Sequence, residues 1–157
     1  MIKAQGDLLD MAKNGDFDII IHGCNCWNIM GAGIAKQIRD QFRVAVVADF
    51  ETKAGDIKKL GNFTWAKADG FLIINAYTQY HTSKTGEDVF EYDAFKLVLR
   101  KILHILPNTR IGLPYIGMGL AGGDAVRIME TIEWFATEME KTGGTVTLVE
   151  YVAKKQQ

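Results

Sequence analysis

Short apolar runs alternate with longer amphipathic stretches along this chain. Phe17-Asp18-Ile19-Ile20-Ile21-His22 is brief and nearly continuous in its apolar character, the pattern of a strand buried on both faces. From Gly33 the period lengthens. Ile34, Ile38 and Phe42 recur at steps of four with Ala35 beside them, as on one face of a helix. Val44 to Thr52 predicts a short helix, and Asn62 to Lys67 a further strand. Phe71-Leu72-Ile73-Ile74-Asn75-Ala76 repeats the buried-strand pattern. Between Tyr92 and Leu106, the residues Phe95, Val98, Leu99, Ile102 and Leu106 form an apolar stripe, and Pro107 stops the helix. Arg110 to Pro114 reads as a short strand. A second long helix follows Gly123, with Val126, Met129, Ile132, Ala136 and Met139 predicted on one face. Thr145 to Val149 is rich in β-branched residues and predicts a last strand. Strands alternating with helices imply an α/β sheet covered on both faces. Ligands of such sheets bind beyond the carboxyl ends of the strands, which directs attention to the loops after His22, Ala76, Pro114 and Val149.

Composition narrows the classes of function. A chain of 157 residues suits one domain, 1–157, with a sizeable core. No apolar run approaches the length needed to span a bilayer. The opening Met1-Ile2-Lys3-Ala4-Gln5-Gly6-Asp7 lacks the apolar region of a signal peptide. A cytosolic location without membrane contact is the expectation. Lysine and arginine number 18 against 19 acidic residues, a net charge of -1, which argues against non-specific nucleic-acid binding. A small anion remains possible, because backbone N–H groups can hold it without net positive charge. Cys24 and Cys26 are the only cysteines. Two residues apart, they make a poor disulfide, and two thiols do not complete a zinc site. They are expected to be reduced and space-filling, with no metal required.

Two glycine-rich loops are the candidates for chemistry. The first, His22-Gly23-Cys24-Asn25-Cys26-Trp27-Asn28-Ile29-Met30-Gly31-Ala32-Gly33-Ile34-Ala35, joins a buried strand to a helix. Gly31 and Gly33 permit close backbone approach to a ligand, and the helix start offers unpaired N–H groups and partial positive charge. A dinucleotide fingerprint would need glycine where Lys36 stands, and no Gly-Lys-Ser/Thr of a P-loop occurs. The second loop, Gly117-Met118-Gly119-Leu120-Ala121-Gly122-Gly123, again follows a strand and precedes a helix. Two such loops on one sheet edge could grip a pyrophosphate from both sides.

Gly6-Asp7-Leu8-Leu9, the stretch from His22 to Ala35, and Leu113-Pro114-Tyr115-Ile116-Gly117-Met118-Gly119-Leu120-Ala121-Gly122-Gly123-Asp124 together resemble the macro domain family. In order and spacing the likeness covers nearly the whole chain. It looks closest to the branch of ADP-ribose-1″-phosphate phosphatases and terminal ADP-ribose–protein glycohydrolases. The resemblance implies a three-layer α/β/α fold with a mixed central sheet, and recognition of ADP-ribose or a close derivative without a cofactor. It assigns Asp7 and the Leu8 N–H to adenine, and Asn25 to the distal ribose and a water. Gly31, Ala32, Gly33 and Ile34 match the first phosphate loop. Gly117, Met118, Gly119, Leu120 and Ala121 match the second, and Tyr151 stands where an aromatic meets adenine. His22 matches a histidine of the phosphatase-like branch that could pass protons.

Plainer roles stay open. Asp7 could simply cap a helix from Leu8 to Lys13, Asn25 could bond its own backbone in a turn, and Tyr151 and His22 could be ordinary packed residues. His81 could reach the same edge, while His104 falls within a helix. The glycohydrolase branch uses a lysine and an aspartate where this chain has Gln79 and Ala121. Lys84 stands near the first of these in sequence, and Asp124 near the second, where it could instead cap a helix. The activity that the resemblance favours is hydrolysis of ADP-ribose-1″-phosphate to ADP-ribose and phosphate, with Asn25 and His22 as catalytic residues. A non-catalytic reader, or a hydrolase acting on ADP-ribosylated protein or nucleic acid, are the alternatives.

Overall fold

In the computed structural model, which describes residues 1–82 and 88–153, the chain opens with β1 (Ile2–Gly6), α1 (Leu8–Lys13) and β2 (Ile19–Asn25). Two helices follow, α2 (Gly33–Gln41) and α3 (Arg43–Phe50), then a 3₁₀ turn (Ile57–Lys59) and the hairpin β3 (Phe63–Lys67) and β4 (Leu72–Gln79). The rest is α4 (Tyr92–Ile105), β5 (Arg110–Leu113), α5 (Ala125–Lys141) and β6 (Thr145–Tyr151). The strands form one sheet in the order β1-β6-β5-β2-β4-β3. Every pairing is parallel except β3 with β4, so the sheet is mixed.

Strand alternation divides the core into two layers. Ile19 and Ile21 of β2 face α4 and α5, where they meet Phe95, Leu99, Ile132 and Phe135. Ile20 faces the other way and packs with Leu8, Leu9, Ile38 and Ala45 of α1, α2 and α3. This two-sided burial explains why β2 and β4 read as continuous apolar runs rather than alternating ones. The α4 stripe lies where the sequence puts it, with Phe95, Val98, Leu99 and Ile102 buried. The buried face of α5 is Ile128, Ile132, Phe135, Ala136 and Met139. Val126, expected on that face, sits in the first turn and points to solvent. Asp124 caps this helix through the N–H groups of Val126 and Arg127.

Several strands differ from expectation, β4 running on to Gln79 and β6 to Tyr151. β1 has no apolar run to announce it, since it is a sheet edge with mostly exposed residues. Its pairing with β6, from Ile2 beside Thr147 to Gly6 beside Tyr151, makes it a strand. β2 continues three residues past His22, pairing Gly23 with Ala76 and Cys24 with Tyr77 before a bulge at Asn25. Gly23, which the sequence places in the first loop, is a strand residue in a tight place. A Cβ there would lie 3.0 Å from Thr78 Oγ1 and 3.3 Å from Ile116.

A chain of buried polar groups runs beneath α3. His22 is wholly buried and donates from Nε2 to Asn75 Oδ1 at 2.6 Å. Asn75 Nδ2 donates to the Ala45 carbonyl and to Thr64 Oγ1, both at 3.0 Å. Thr64 meets the Tyr77 hydroxyl at 3.0 Å, and Tyr77 donates to Asp49 Oδ1 at 2.7 Å. Each buried polar side chain here has a partner, as desolvation demands. Burial pushes the His22 imidazole down to about 4, only partly offset by its bond to Asn75.

His22 is therefore neutral in the fold at neutral pH, while an unfolded chain would protonate it near 6.5. The unfolded state binds more protons between these values, so stability is complete above about pH 6.5 and falls as pH drops towards 4. The slope should reach about 1.4 kcal/mol per pH unit. Asp49, whose carboxyl burial holds above its usual range, contributes a slope of opposite sign. The His22 part is thus the difference between wild type and His22→Gln in urea denaturation from pH 8 to 4.5. The variant should show the flatter acid limb, and parallel limbs would exclude this role.

Candidate functional site

The carboxyl ends of five strands, β1, β6, β5, β2 and β4, meet a trough made of two joined hollows. The larger, about 430 Å³, is lined by residues 23–25, 31–35, 78–79 and 114–117 together with Ile29, Thr82, Gly119, Leu120 and Ala121. The smaller, about 360 Å³, is lined by Asp7, Leu8, Gln37, Val149 and Tyr151. Gly33, Ile34, Pro114 and Tyr115 belong to both and form the saddle between them. Four strand spacings separate β1 from β4, roughly 19 Å across the sheet.

The first loop is held from below. Asn28 takes a positive φ of 59°, and its side chain explains how that turn is kept. Asn28 Nδ2 donates to the Thr52 carbonyl at 3.0 Å, and Lys59 Nζ donates to Asn28 Oδ1 at 2.6 Å. Lys59 also reaches the Cys26 carbonyl at 3.1 Å and lies over the Tyr77 ring at 4.7 Å. Beyond this clamp, residues 31–35 are left open. Ala32 caps α2 without any side-chain hydrogen bond. Among the described residues, none of the N–H groups of residues 31–35 has a partner. Gly33 has φ +58°, and a Cβ there would meet nothing within 4 Å; its outer side is open space.

The second loop is folded on itself. Gly117 adopts φ +76° with Phe90 packed so closely that a Cβ would lie 2.5 Å from the ring. Gly122 N donates to Gly119 O, Gly123 N to Gly117 O, and Val89 N to Ala121 O. These bonds leave the N–H groups of Gly119, Leu120 and Ala121 without partners among the described residues. Successive free N–H groups of this kind, together with a helix N-terminus, form an anion-binding concavity.

Most residues singled out in the sequence come together here. Asn25 lines the larger hollow, and its amide also makes the local turn, donating to Ile29 O at 2.8 Å and accepting from Trp27 N at 2.9 Å. One N–H and one lone pair of that amide remain for another molecule. Asp7 is the cap of α1, and both of its bonds, to the N–H groups of Leu9 and Asp10, use Oδ1. The cap does not take the Leu8 N–H. Tyr151 stands exposed at the end of β6, beside Asp7 across the β1–β6 pairing.

Others do not join the site. His22 lies three residues before the end of β2 and faces Asn75 and the α3 layer, not the trough. The expected proton-carrying role is corrected accordingly: strand alternation turns its ring into the core. Met118 packs against the core, and its N–H bonds Tyr115 O, so it does not line the hollow. His81 is exposed and stacks edge-on with Tyr80 rather than lining the trough. His104 is exposed on α4. Lys84 lies outside the described residues. Cys24 and Cys26 are buried free thiols, and burial pushes both towards the protonated form. Gln79 and Ala121 line the larger hollow. Sequence reasoning missed Thr78, Thr82, Gln37 and the Pro114–Tyr115 saddle. For Thr78 the one available signal was a hydroxyl residue at the end of an apolar strand. Among the described residues the trough lining holds no cation, and Asp7 is its one acidic side chain; no cluster suited to a metal ion is present among them either.

No family model matches the chain. It is 28% identical over 145 residues to a 17.5 kDa uncharacterized protein from the tk-vs intergenic region of enterobacteria phage T4, covering 87% of this chain and 90% of that protein. Among solved structures, a protein of unknown function from Bacteroides thetaiotaomicron superposes with a TM-score of 0.80 at 22% identity, over 95% of this chain and 96% of the other. The macrodomain of Mycobacterium tuberculosis DarG gives 0.69 at 24% identity, over 98% and 99%. Thermosipho africanus DarTG in complex with ADP-ribose gives 0.70 at 15% identity, over all of this chain and 43% of that one. With its mixed six-stranded sheet between two helical layers, this chain has the macrodomain fold.

Proposed function

We propose that the protein binds ADP-ribose or a close derivative in this trough. One observation carries the reading. Two rows of unpaired N–H groups, at residues 31–35 and at Gly119, Leu120 and Ala121, line one hollow from different loops. A pyrophosphate is the anion that a two-sided grip of this size suits, since each phosphate can take N–H groups from a separate loop. Asp7 at the far end can accept from the adenine amino group through Oδ2, which the helix cap does not use, and Tyr151 supplies an aromatic face beside it. The T. africanus neighbour of the same fold is in complex with ADP-ribose, which supports the reading. The buried free thiols suit a reducing, cytosolic setting.

ADP-ribose-1″-phosphate is the derivative that the protein hydrolyses in this reading, and it does so slowly. Asn25 orients the distal ribose and the attacking water with the N–H and lone pair left over from its turn, and the loop N–H groups stabilise developing charge. His22, bonded to Asn75 in the core, takes no part. A second reading is favoured by one feature: among the described residues, the larger hollow contains no carboxylate, imidazole or amine to move a proton. That is the lining of a reader of ADP-ribosylated macromolecules.

Titration calorimetry should give micromolar affinity for ADP-ribose, on the order of -8 kcal/mol. Gly33→Glu should abolish it by placing an anion where phosphate approaches. Asp7→Ser keeps a good helix cap but falls short of the base; it should retain thermal stability and lose roughly 1.5–3 kcal/mol of affinity. Absence of heat and of competition at millimolar ligand would refute the binding function.

Phosphate release separates the enzyme from the reader. Wild type should liberate inorganic phosphate from ADP-ribose-1″-phosphate, and Asn25→Ala should lower turnover far more than affinity. Tight binding without any phosphate release would leave the reader as the function.

A further inference from the structure

Thr78 is the last residue but one of β4, close to Gly23 and Ile116. The residue is 1% exposed and borders the larger hollow. Its hydroxyl is the one buried side-chain polar atom among the described residues without a hydrogen-bond partner. A valine would fill the same volume without an orphan hydroxyl, so packing does not explain the threonine. Leaving a buried hydroxyl unbonded is unfavourable, and such a group calls for a missing partner.

The space in front of the hydroxyl is kept clear by its neighbour. A Cβ at Gly23 would stand 3.0 Å from Thr78 Oγ1 and 3.3 Å from Ile116. Glycine at that strand position therefore keeps a side chain from crowding Thr78 and Ile116 at the lining of the trough. Strand order fixes which part of a ligand reaches it. Asp7, just after β1, and Tyr151, the last residue of β6, stand at one end of the trough, and Thr78, near the end of β4, at the other. A nucleotide with its base against Asp7 and its pyrophosphate between the glycine loops sets whatever is attached beyond the second phosphate over β2 and β4.

We propose that the Thr78 hydroxyl is a specificity-determining contact. It hydrogen-bonds the sugar beyond the pyrophosphate, on the side that Gly23 leaves without a side chain, and so distinguishes ADP-ribose from ADP. The inference rests on the ADP-ribose reading of the trough. A hydroxyl serves a sugar well, because it can donate to one ribose oxygen or accept from a ribose O–H as the bound conformer requires. Asn25, on the neighbouring strand, then holds the same sugar from its other side.

The test compares two ligands on three folded variants by calorimetry. Thr78→Val should weaken ADP-ribose about tenfold, the equivalent of one lost hydrogen bond, and leave ADP unchanged. Thr78→Ser restores the hydroxyl and should return ADP-ribose affinity to within about threefold of wild type. Gly23→Ala, which places a methyl group against the hydroxyl, should reproduce the selective loss. Thr78→Val should melt no lower than wild type without ligand, because it removes an unsatisfied group. Equal affinity of wild type and Thr78→Val for ADP-ribose would overturn the proposal while leaving ADP-ribose binding in place. So would equal weakening of both ligands, or failure of serine to restore. A wild type that binds neither ligand would overturn this proposal and the binding function together.

Discussion

Lys59 sends its ammonium under the first loop, where the Cys26 carbonyl and the Asn28 amide receive it and the Tyr77 ring lies beneath it. Asp49 stands on the far side of Tyr77 and bonds its hydroxyl. A charge this deeply buried is tolerated only with several good contacts, and here the contacts link four separate segments, directly or through Tyr77. The loop between β2 and α2, the 3₁₀ turn, α3 and β4 are all tied to one another through this point. The open N–H row at residues 31–35 depends on it, because that row must be held without using its own hydrogen bonds.

The second loop meets the same demand by another route. Its bonds cross within the loop, from Gly122 to Gly119 and from Gly123 to Gly117, and the Phe90 ring supports Gly117 from beneath. One wall of the trough is thus set by a buried cation and the other by glycine geometry and an aromatic floor. Both leave peptide N–H groups unspent at the same edge of the sheet. This arrangement lets a chain with a formal charge of -1 carry the proposed anion site with no cationic side chain lining it among the described residues.

Much of this was legible in the sequence where burial is regular. β2, β4 and α4 announce themselves because their apolar residues follow the periods of a two-sided strand or a one-faced helix. The glycine loops were legible because their composition is too rich for ordinary turns. What was not legible depends on long-range partners. β1 has polar, exposed positions and becomes a strand only through pairing with residues about 145 positions away. Gly23 looks like punctuation until Thr78 and Ile116 are placed beside it. His22 sits next to the loop in sequence, yet alternation along β2 sends it into the core. Val126 fits an apolar stripe by spacing but falls in the first turn of α5, away from the sheet. Thr78 could not be identified from one sequence, since its distinguishing property is a missing partner.

The β1–β6 pairing has a consequence for the order in which the molecule assembles. Asp7 owes its place beside Tyr151 to a ladder that joins Gly6 to Tyr151, close to the largest sequence separation the described chain contains. Closing so long a loop is entropically the most expensive step in forming the sheet. It is rewarded only once β5 and β6 are already in place as a template. β1 also has a single neighbouring strand, and its residues bury little. The end of the trough that carries Asp7 thus rests on an edge strand, which opens by local fraying more readily than the central strands. The glycine loops, supported by the central strands, can stay formed while it does so.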